Sequence, residues 1–326
     1  MILVAPRLTE LRRFAKHCGL LLIVPAVLAC SVDLRAQPDF RVDSSLVVLH
    51  VAVTDRQGKF VRDLPASAFH VFEDGAPQNV TLFRHEDTPV AVGLVVDNSG
   101  SMRRKVPHVV AAASEFARSS NPDDQMFVVN FNENVSLGLP PDRAFVSTPD
   151  DLRAAMLQIH ARGETALYDA VATALGHIRT SPLQKKVLIV LSDGGDNASK
   201  RQFRETLTLL QQSDVIAYTV GLFDEYDNDR NPGVLKQLAK ASGGEAFFPM
   251  EIPDVTKVLQ AVSRDIRNQY TIGYMPANEK QDGTYRNVRV TVTGPRAPRW
   301  IVRTRTGYFA GGPDSAASDS PKTRER

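Results

Sequence analysis

The sequence predicts an α/β fold: a doubly wound, mostly parallel sheet flanked by helices. Three observations carry the prediction. Nearly continuous apolar runs at Val90 to Val96, Met126 to Val129, Val187 to Leu191 and Val215 to Val220 have the length and composition of strands buried on both faces. Between these runs, apolar residues recur at helical spacing. Strand and helix alternate from about Val90 to Asn268, the rhythm of a parallel sheet joined by crossover helices.

Taken in order, Val90 to Val96 opens the unit as a strand. Val106, Val109, Val110, Ala113 and Phe116 then stripe one face of a helix. Met126 to Val129 is the next strand, and Val135 to Leu137 a short antiparallel edge strand. Leu167, Ala170, Val171, Ala174 and Ile178 mark a second helix. Val187 to Leu191 leads into Asp193, and Phe203, Leu207 and Leu210 stripe the helix behind it. Val215 to Val220 is followed by a helix carrying Val234, Leu235 and Leu238, with Gly243-Gly244 as its stop. Ala246 to Phe248 is a last short strand. Val255, Val258, Leu259, Val262 and Ile266 form a closing helix over about 254–268.

The flanks are β-rich. Leu46 to Val53 runs into the turn Asp55-Arg56-Gln57-Gly58, and Phe69 to Glu73 and Val80 to Phe83 bracket Asp74-Gly75 as a hairpin. Beyond the α/β unit, Tyr270 to Tyr274, Val288 to Val292 and Trp300 to Arg305 read as strands, with a turn at Asp282-Gly283. Neither flank has enough strands to stand alone. The two are therefore expected to pair into one small β-sandwich, packed by Trp300, Tyr285 and Tyr308, with the α/β unit inserted between them. The expected division is a leader over 1–36, an N-terminal flank over 37–88, the inserted domain over 89–268, a C-terminal flank over 269–310 and a disordered tail over 311–326.

The leader has Arg12, Arg13 and Lys16 ahead of an apolar run from Gly19 to Ala29, too short to span a bilayer and matching a secretory signal. Cleavage near Ala36 and lipoprotein-type processing at Cys30 both remain open; the second would leave a lipid anchor. Either way the expected location is exported: periplasmic, secreted or attached to the cell envelope, with no membrane span in the mature chain. Both cysteines, Cys18 and Cys30, lie in the leader, so a product cut after Ala36 has no disulfide. A net charge of +2 without a Lys/Arg-rich tract of five or more argues against nucleic acid as a partner.

The residues with chemistry to offer fall in three separated pieces. Asp97-Asn98-Ser99-Gly100-Ser101 follows the first strand. Thr165 sits in Gly163-Glu164-Thr165-Ala166-Leu167 at a helix start, and Asp193 ends the strand Val187 to Leu191. Open α/β sheets place their sites at this edge. Ser99 and Ser101, two apart on a loop, can turn their hydroxyls to one point, and Gly100 is expected to allow a tight bend between them. Two carboxylates and three hydroxyls are oxygen donors suited to a hard cation. The competing reading is that all five merely cap helices.

This arrangement resembles the metal-ion-dependent adhesion site of von Willebrand factor A domains, with its Asp-x-Ser-x-Ser, Thr and Asp elements in order. Val53-Thr54-Asp55-Arg56-Gln57-Gly58, Phe72-Glu73-Asp74-Gly75, Tyr270 to Tyr274 and Gly307-Tyr308-Phe309 are similar to the flanks of the bacterial VWFA-related acidobacterial family. The resemblance implies Mg2+ as the ion, with Mn2+ or Ca2+ as alternatives. It implies direct ligation by Ser99, Ser101 and Thr165, with Asp97 and Asp193 acting mainly through water. It also implies a protein partner that offers an acidic side chain to the metal, and a closing helix able to couple site occupancy to neighbouring domains. The function expected is adhesion-type binding rather than catalysis. A structural or assembly module of the cell envelope and, more remotely, a metal-dependent hydrolase are the other readings.

Other constellations are weaker. Asp224, Asp227 and Asp229 lack the glycine and terminal glutamate of an EF-hand loop, and Asp196 reads as a solvated loop residue. There is no His-Glu-x-x-His, no Gly-x-Ser-x-Gly elbow and no phosphate-binding Gly-x-x-x-x-Gly-Lys.

Overall fold

The computed structural model describes residues 46–158, 160–223 and 230–311. The leader with Cys18 and Cys30, the cluster Asp224, Asp227 and Asp229, and the tail beyond Gly311 lie outside the described residues.

In chain order the elements are β1 (Val47–Thr54), β2 (Phe69–Glu73), β3 (Ala76–Gln78), β4 (Val80–Arg84) and β5 (Val90–Asp97). They continue with α1 (Val106–Arg118), β6 (Gln125–Phe131), β7 (Val135–Leu137), α2 (Pro149–Met156), α3 (Leu167–Ile178) and β8 (Lys185–Ser192). Next come α4 (Phe203–Gln211), β9 (Ile216–Gly221), α5 (Pro232–Ser242), β10 (Ala246–Phe247) and α6 (Val255–Arg267). The final strands are β11 (Tyr270–Tyr274), β12 (Tyr285–Val292), β13 (Ile301–Arg303) and β14 (Gly307–Phe309).

The central sheet has the order β10-β9-β8-β5-β6-β7, parallel except for β7, which runs antiparallel on the edge. Every residue of β5 is buried, which is why its sequence is apolar without alternation. Val90, Val92, Leu94 and Val96 face the layer that contains α1, α2 and α6. Ala91 and Val95 face the layer of α3, α4 and α5. The sheet is thus wound on both sides. Helix α5 ends as its sequence requires, with Gly243 in the left-handed region (φ 83).

The flanks form two antiparallel four-stranded sheets, ordered β13-β1-β11-β4 and β14-β12-β2-β3. Each contains strands from both ends of the chain, and Leu49, Val51, Val71, Ile272 and Val290 pack between them. The α/β unit leaves this sandwich after β4 and returns at β11. Arg267, at the end of α6, ties exit to entry by an ion pair with Asp87 at 2.8 Å and a second with Asp124.

Three expectations change. The hairpin at Asp74-Gly75 exists, but the partner of Phe69 to Glu73 is β3; Val80 to Phe83 instead pairs with β11 in the opposite sheet. Asp74 and Gly75 both have positive φ (46 and 86), so this two-residue turn brings Ala76 directly opposite Glu73 and leaves no room for a pairing that starts at Val80. Helix α2 was not anticipated, although Thr148 accepts a hydrogen bond from the Asp151 N–H and Pro149, Asp150 and Asp151 occupy its first turn. Finally, Trp300 and Tyr308 pack against the sandwich core, whereas Tyr285 stacks edge-on against Phe309 outside it.

Candidate metal centre

Parallel pairing of β5 with β8 (Val96 opposite Leu191) brings their C-terminal ends side by side. From β5 the chain crosses to β6 on one side, and from β8 to β9 on the other, so the crevice between them is the topological switch point of the sheet. Asp97 closes β5 and Asp193 follows β8, so both carboxylates emerge there.

Asp97 is fully buried. Its Oδ1 accepts from the Ser99 N–H at 2.8 Å and its Oδ2 from the Ser192 hydroxyl at 2.6 Å. The hydroxyls of Ser99 and Ser101 are 3.1 Å apart in a hydrogen bond, and Ser101 Oγ donates to Asp193 Oδ2 at 2.6 Å. Asp193 Oδ1 accepts from the Gly195 N–H at 3.1 Å. Four of the five predicted residues are therefore linked, three of them by direct side-chain contacts.

Thr165 is also buried, and its link to the others runs through the backbone. Arg162 N–H donates to Asn98 O at 2.9 Å and Gly100 N–H to Gly163 O at 3.1 Å, which lashes the loop before α3 to the loop after β5. Thr165 itself is fixed by Asn197, whose Oδ1 accepts from Thr165 N at 2.8 Å and whose N–H donates to Thr165 O at 3.0 Å.

The bend at Gly100 is not what was expected. Gly100 lies outside the left-handed region, and an added Cβ there would make only ordinary contact, 3.5 Å from Gly163 O. The site's left-handed glycines are instead Gly163, with φ 75, and Gly194, with φ 81 and a Cβ that would fall 2.5 Å from Asn231 O. Asn231 in turn donates its N–H to Asp193 O at 3.0 Å and caps α5 through Val234 N.

Asp196 is likewise not a solvated loop residue. It accepts from the Tyr168 N–H at 2.9 Å and from the Ser199 hydroxyl at 2.6 Å, and so caps the first turn of α3. Sequence reasoning also missed three polar residues of the site: Asn197, Ser192 and Asn98. Ser192 supports Asp97 and accepts from Gly194 N–H at 3.0 Å. Buried Asn98 donates to Val96 O and to Asn130 Oδ1, both at 3.2 Å. Ser192 was the most detectable, as a hydroxyl ending an otherwise apolar strand.

Burial, and then the Asp193 carboxylate beside it, push the Asp97 carboxyl up to about 6 against the opposing pull of hydrogen bonds from Ser192 and Ser99. None of the main influences on Asp97 is a cation. A buried carboxylate facing a second one is the environment a divalent ion relieves, and the surrounding donors are hydroxyls. Among the described residues no group of three or more His, Cys, Asp or Glu that could hold a metal ion is present, this site with its two carboxylates included. The donor set thus fits a hard, oxygen-preferring ion rather than a thiolate- or imidazole-bound one.

No curated protein sequence is significantly similar to the chain. Among solved structures it is similar to the von Willebrand factor type A protein from Catenulispora acidiphila, at 16% identity and a TM-score of 0.49, covering 82% of this chain and 62% of that one. It is also similar to the von Willebrand factor domain of the type V pili tip protein Mfa5 from Porphyromonas gingivalis (13% identity, TM-score 0.46, 55% and 95% covered). A third is proximal thread matrix protein 1 from the mussel byssus, in a form with zinc in its MIDAS motif (16% identity, TM-score 0.44, 56% of this chain covered). The chain spans 49% of the length of that mussel protein. Over residues 92–195 the chain matches the family model of the von Willebrand factor type A domain, a span that encloses all five side chains from Asp97 to Asp193.

Proposed function

We propose that this chain is an exported binding protein that engages a protein partner through a divalent cation, Mg2+ foremost, held by Asp97, Ser99, Ser101, Thr165 and Asp193. The observation that carries the reading is the hydrogen-bonded row Ser99–Ser101–Asp193 above buried Asp97, in the switch-point crevice of the sheet. Bound there, the ion supplies an electrophile for a carboxylate of the partner. The hydroxyls of Ser99, Ser101 and Thr165 leave its charge little offset, while Ser192 and the Ser99 N–H orient Asp97. The inserted unit is read as 89–268, and the flank motifs support the finer likeness to the acidobacterial VWFA-related family. Export rests on the leader sequence; among the described residues no helix is long and apolar enough to cross a membrane.

The function is read as binding rather than catalysis because both carboxylates of the site are already engaged by the protein, Asp97 by Ser192 and the Ser99 N–H and Asp193 by Ser101 and the Gly195 N–H. Calorimetric titration of Mg2+, Mn2+ and Ca2+ into the full chain tests the reading, beside Asp97→Ala and Ser99→Ala/Ser101→Ala variants with native circular dichroism. Saturable binding in the parent and none in the variants is expected. Failure of all three ions to bind at about millimolar concentration overturns it.

A further inference from the structure

A second site, independent of the metal centre, lies where α5 meets the sandwich. There a cleft of about 480 Å³ is walled by Lys236, Lys240, Arg289, Arg303, Arg305 and a single acid, Glu245. Val290 and Val302 add apolar surface, and Thr306 a hydroxyl.

The cations divide into two groups. Arg303 is neutralised by Asp265 and by Glu245 at 3.4 Å, and Arg305 by Asp214 at 2.9 Å. Lys236, Lys240 and Arg289 are exposed, and among the described residues none of them is ion-paired. Two of these three sit over aromatic faces instead: Lys236 is 5.4 Å from the centre of the Phe248 ring, and Arg289 is 4.4 Å from that of Phe72. A ring face holds a cation in place without cancelling its charge. Lys236 and Lys240 are four apart on α5, so they share one helix face. The cleft therefore combines a net positive wall, two positioned cations and room for a small molecule.

We propose that this cleft binds a multivalent oxyanion, carrying several phosphate or carboxylate groups, bridged between Lys236 and Lys240 of α5 and the Arg289 side of the sandwich. A monovalent anion would engage one of these charges at a time; several linked groups engage them together, which is where the selectivity for a multivalent ligand comes from. Because α5 belongs to the inserted unit and β12 to the sandwich, occupancy would brace one against the other.

The test uses inorganic tripolyphosphate and citrate as probes of the phosphate and carboxylate sources. Each is titrated calorimetrically into the full chain at low ionic strength, about 0.02 M. The comparison proteins are Lys236→Gln/Lys240→Gln, Arg289→Gln, and a charge-matched control, Arg118→Gln/Arg153→Gln, on the remote helices α1 and α2. Saturable binding of at least one probe is expected, weakened about tenfold or more by the α5 pair and by Arg289→Gln but unchanged in the control. Failure of both probes to bind the parent overturns the proposal. So does equal binding by parent and α5 variant, or equal weakening in the control, which would reduce the effect to net charge. Asp97→Ala leaves this binding intact, so the two sites fail or stand separately.

Discussion

The hydroxyl of Ser101 donates to Oδ2 of Asp193 at 2.6 Å, joining two side chains 92 residues apart in the chain. The contact exists only because β5 and β8 are hydrogen-bonded neighbours. It also gives the candidate metal centre an internal test. Ser101→Ala removes one neutral-to-charged hydrogen bond at a partly buried position, for a stability loss of about 1–2 kcal/mol. Its effect on Mg2+ affinity should be larger, a drop of about tenfold or more, because on the proposed reading a ligand is removed as well. Urea unfolding and calorimetry on the same variant separate the two. A full stability loss with unchanged ion affinity would make Ser101 a purely structural residue.

A different network holds the sandwich. Glu73 and Arg286 are each about 2% exposed and pair at 3.2 Å, and the hydroxyls of Tyr274 and Tyr308 both donate to Glu73 Oε2 at 2.8 Å. Arg286 also donates to the carbonyls of Asn278 and Lys280. Burial and the Glu73 carboxylate hold both phenols protonated, well above their ordinary range. Glu73→Ala strands a buried guanidinium and should cost about 3–5 kcal/mol in urea unfolding, whereas Glu73→Gln keeps an acceptor and should cost less. A loss below about 1 kcal/mol for the alanine variant would show that water takes over the role of the carboxylate.

His50 links the sandwich to the inserted unit from the other side. On β1 it points away from the core side chains Leu49 and Val51, next to a cavity of about 10 Å³ shared with Asp214, Ser242 and Arg305. Burial, then the charges of Lys185 and Arg305, lower its pKa to about 3. The neutral ring is thus the folded form, and below pH 6.5 the unfolded chain binds a proton that the folded chain refuses. Stability is full above pH 6.5 and falls as the pH drops toward about 3. The limiting slope is about 1.4 kcal/mol per pH unit, reduced here because His50 is only half-buried. His50→Gln should flatten this limb relative to the parent in thermal unfolding from pH 7 down to about pH 4. Parallel curves would place the histidine in water.

Much of this architecture was readable in the chain because its signals are local. Strand β5 is apolar from Val90 to Val96 since both its faces are covered, and α1 and α6 keep their stripes since only one face is. Helix α2 escaped because it buries only Leu152, Ala155 and Met156 over eight residues. The five candidate ligands could be picked out for a similar reason: they are hydroxyls and carboxylates at or just after the ends of buried strands, or just before a helix. Ser192, Asn98 and Asn197 were not, because their roles depend on which backbone groups lie opposite them.

The sequence by itself determined most of the strands and helices of the inserted unit, that its sheet is mostly parallel, and which side chains are candidates to hold an ion. Those follow from hydrophobic period and from side-chain chemistry, which act over a few residues. Only the tertiary structure decided that Val80 to Phe83 crosses to the far sheet, that Asp196 caps α3, and that Lys240 and Arg289 share a cleft. Each of these depends on pairing between distant segments. Such pairing is settled by how whole faces are buried against one another, and nothing local in the chain encodes that choice.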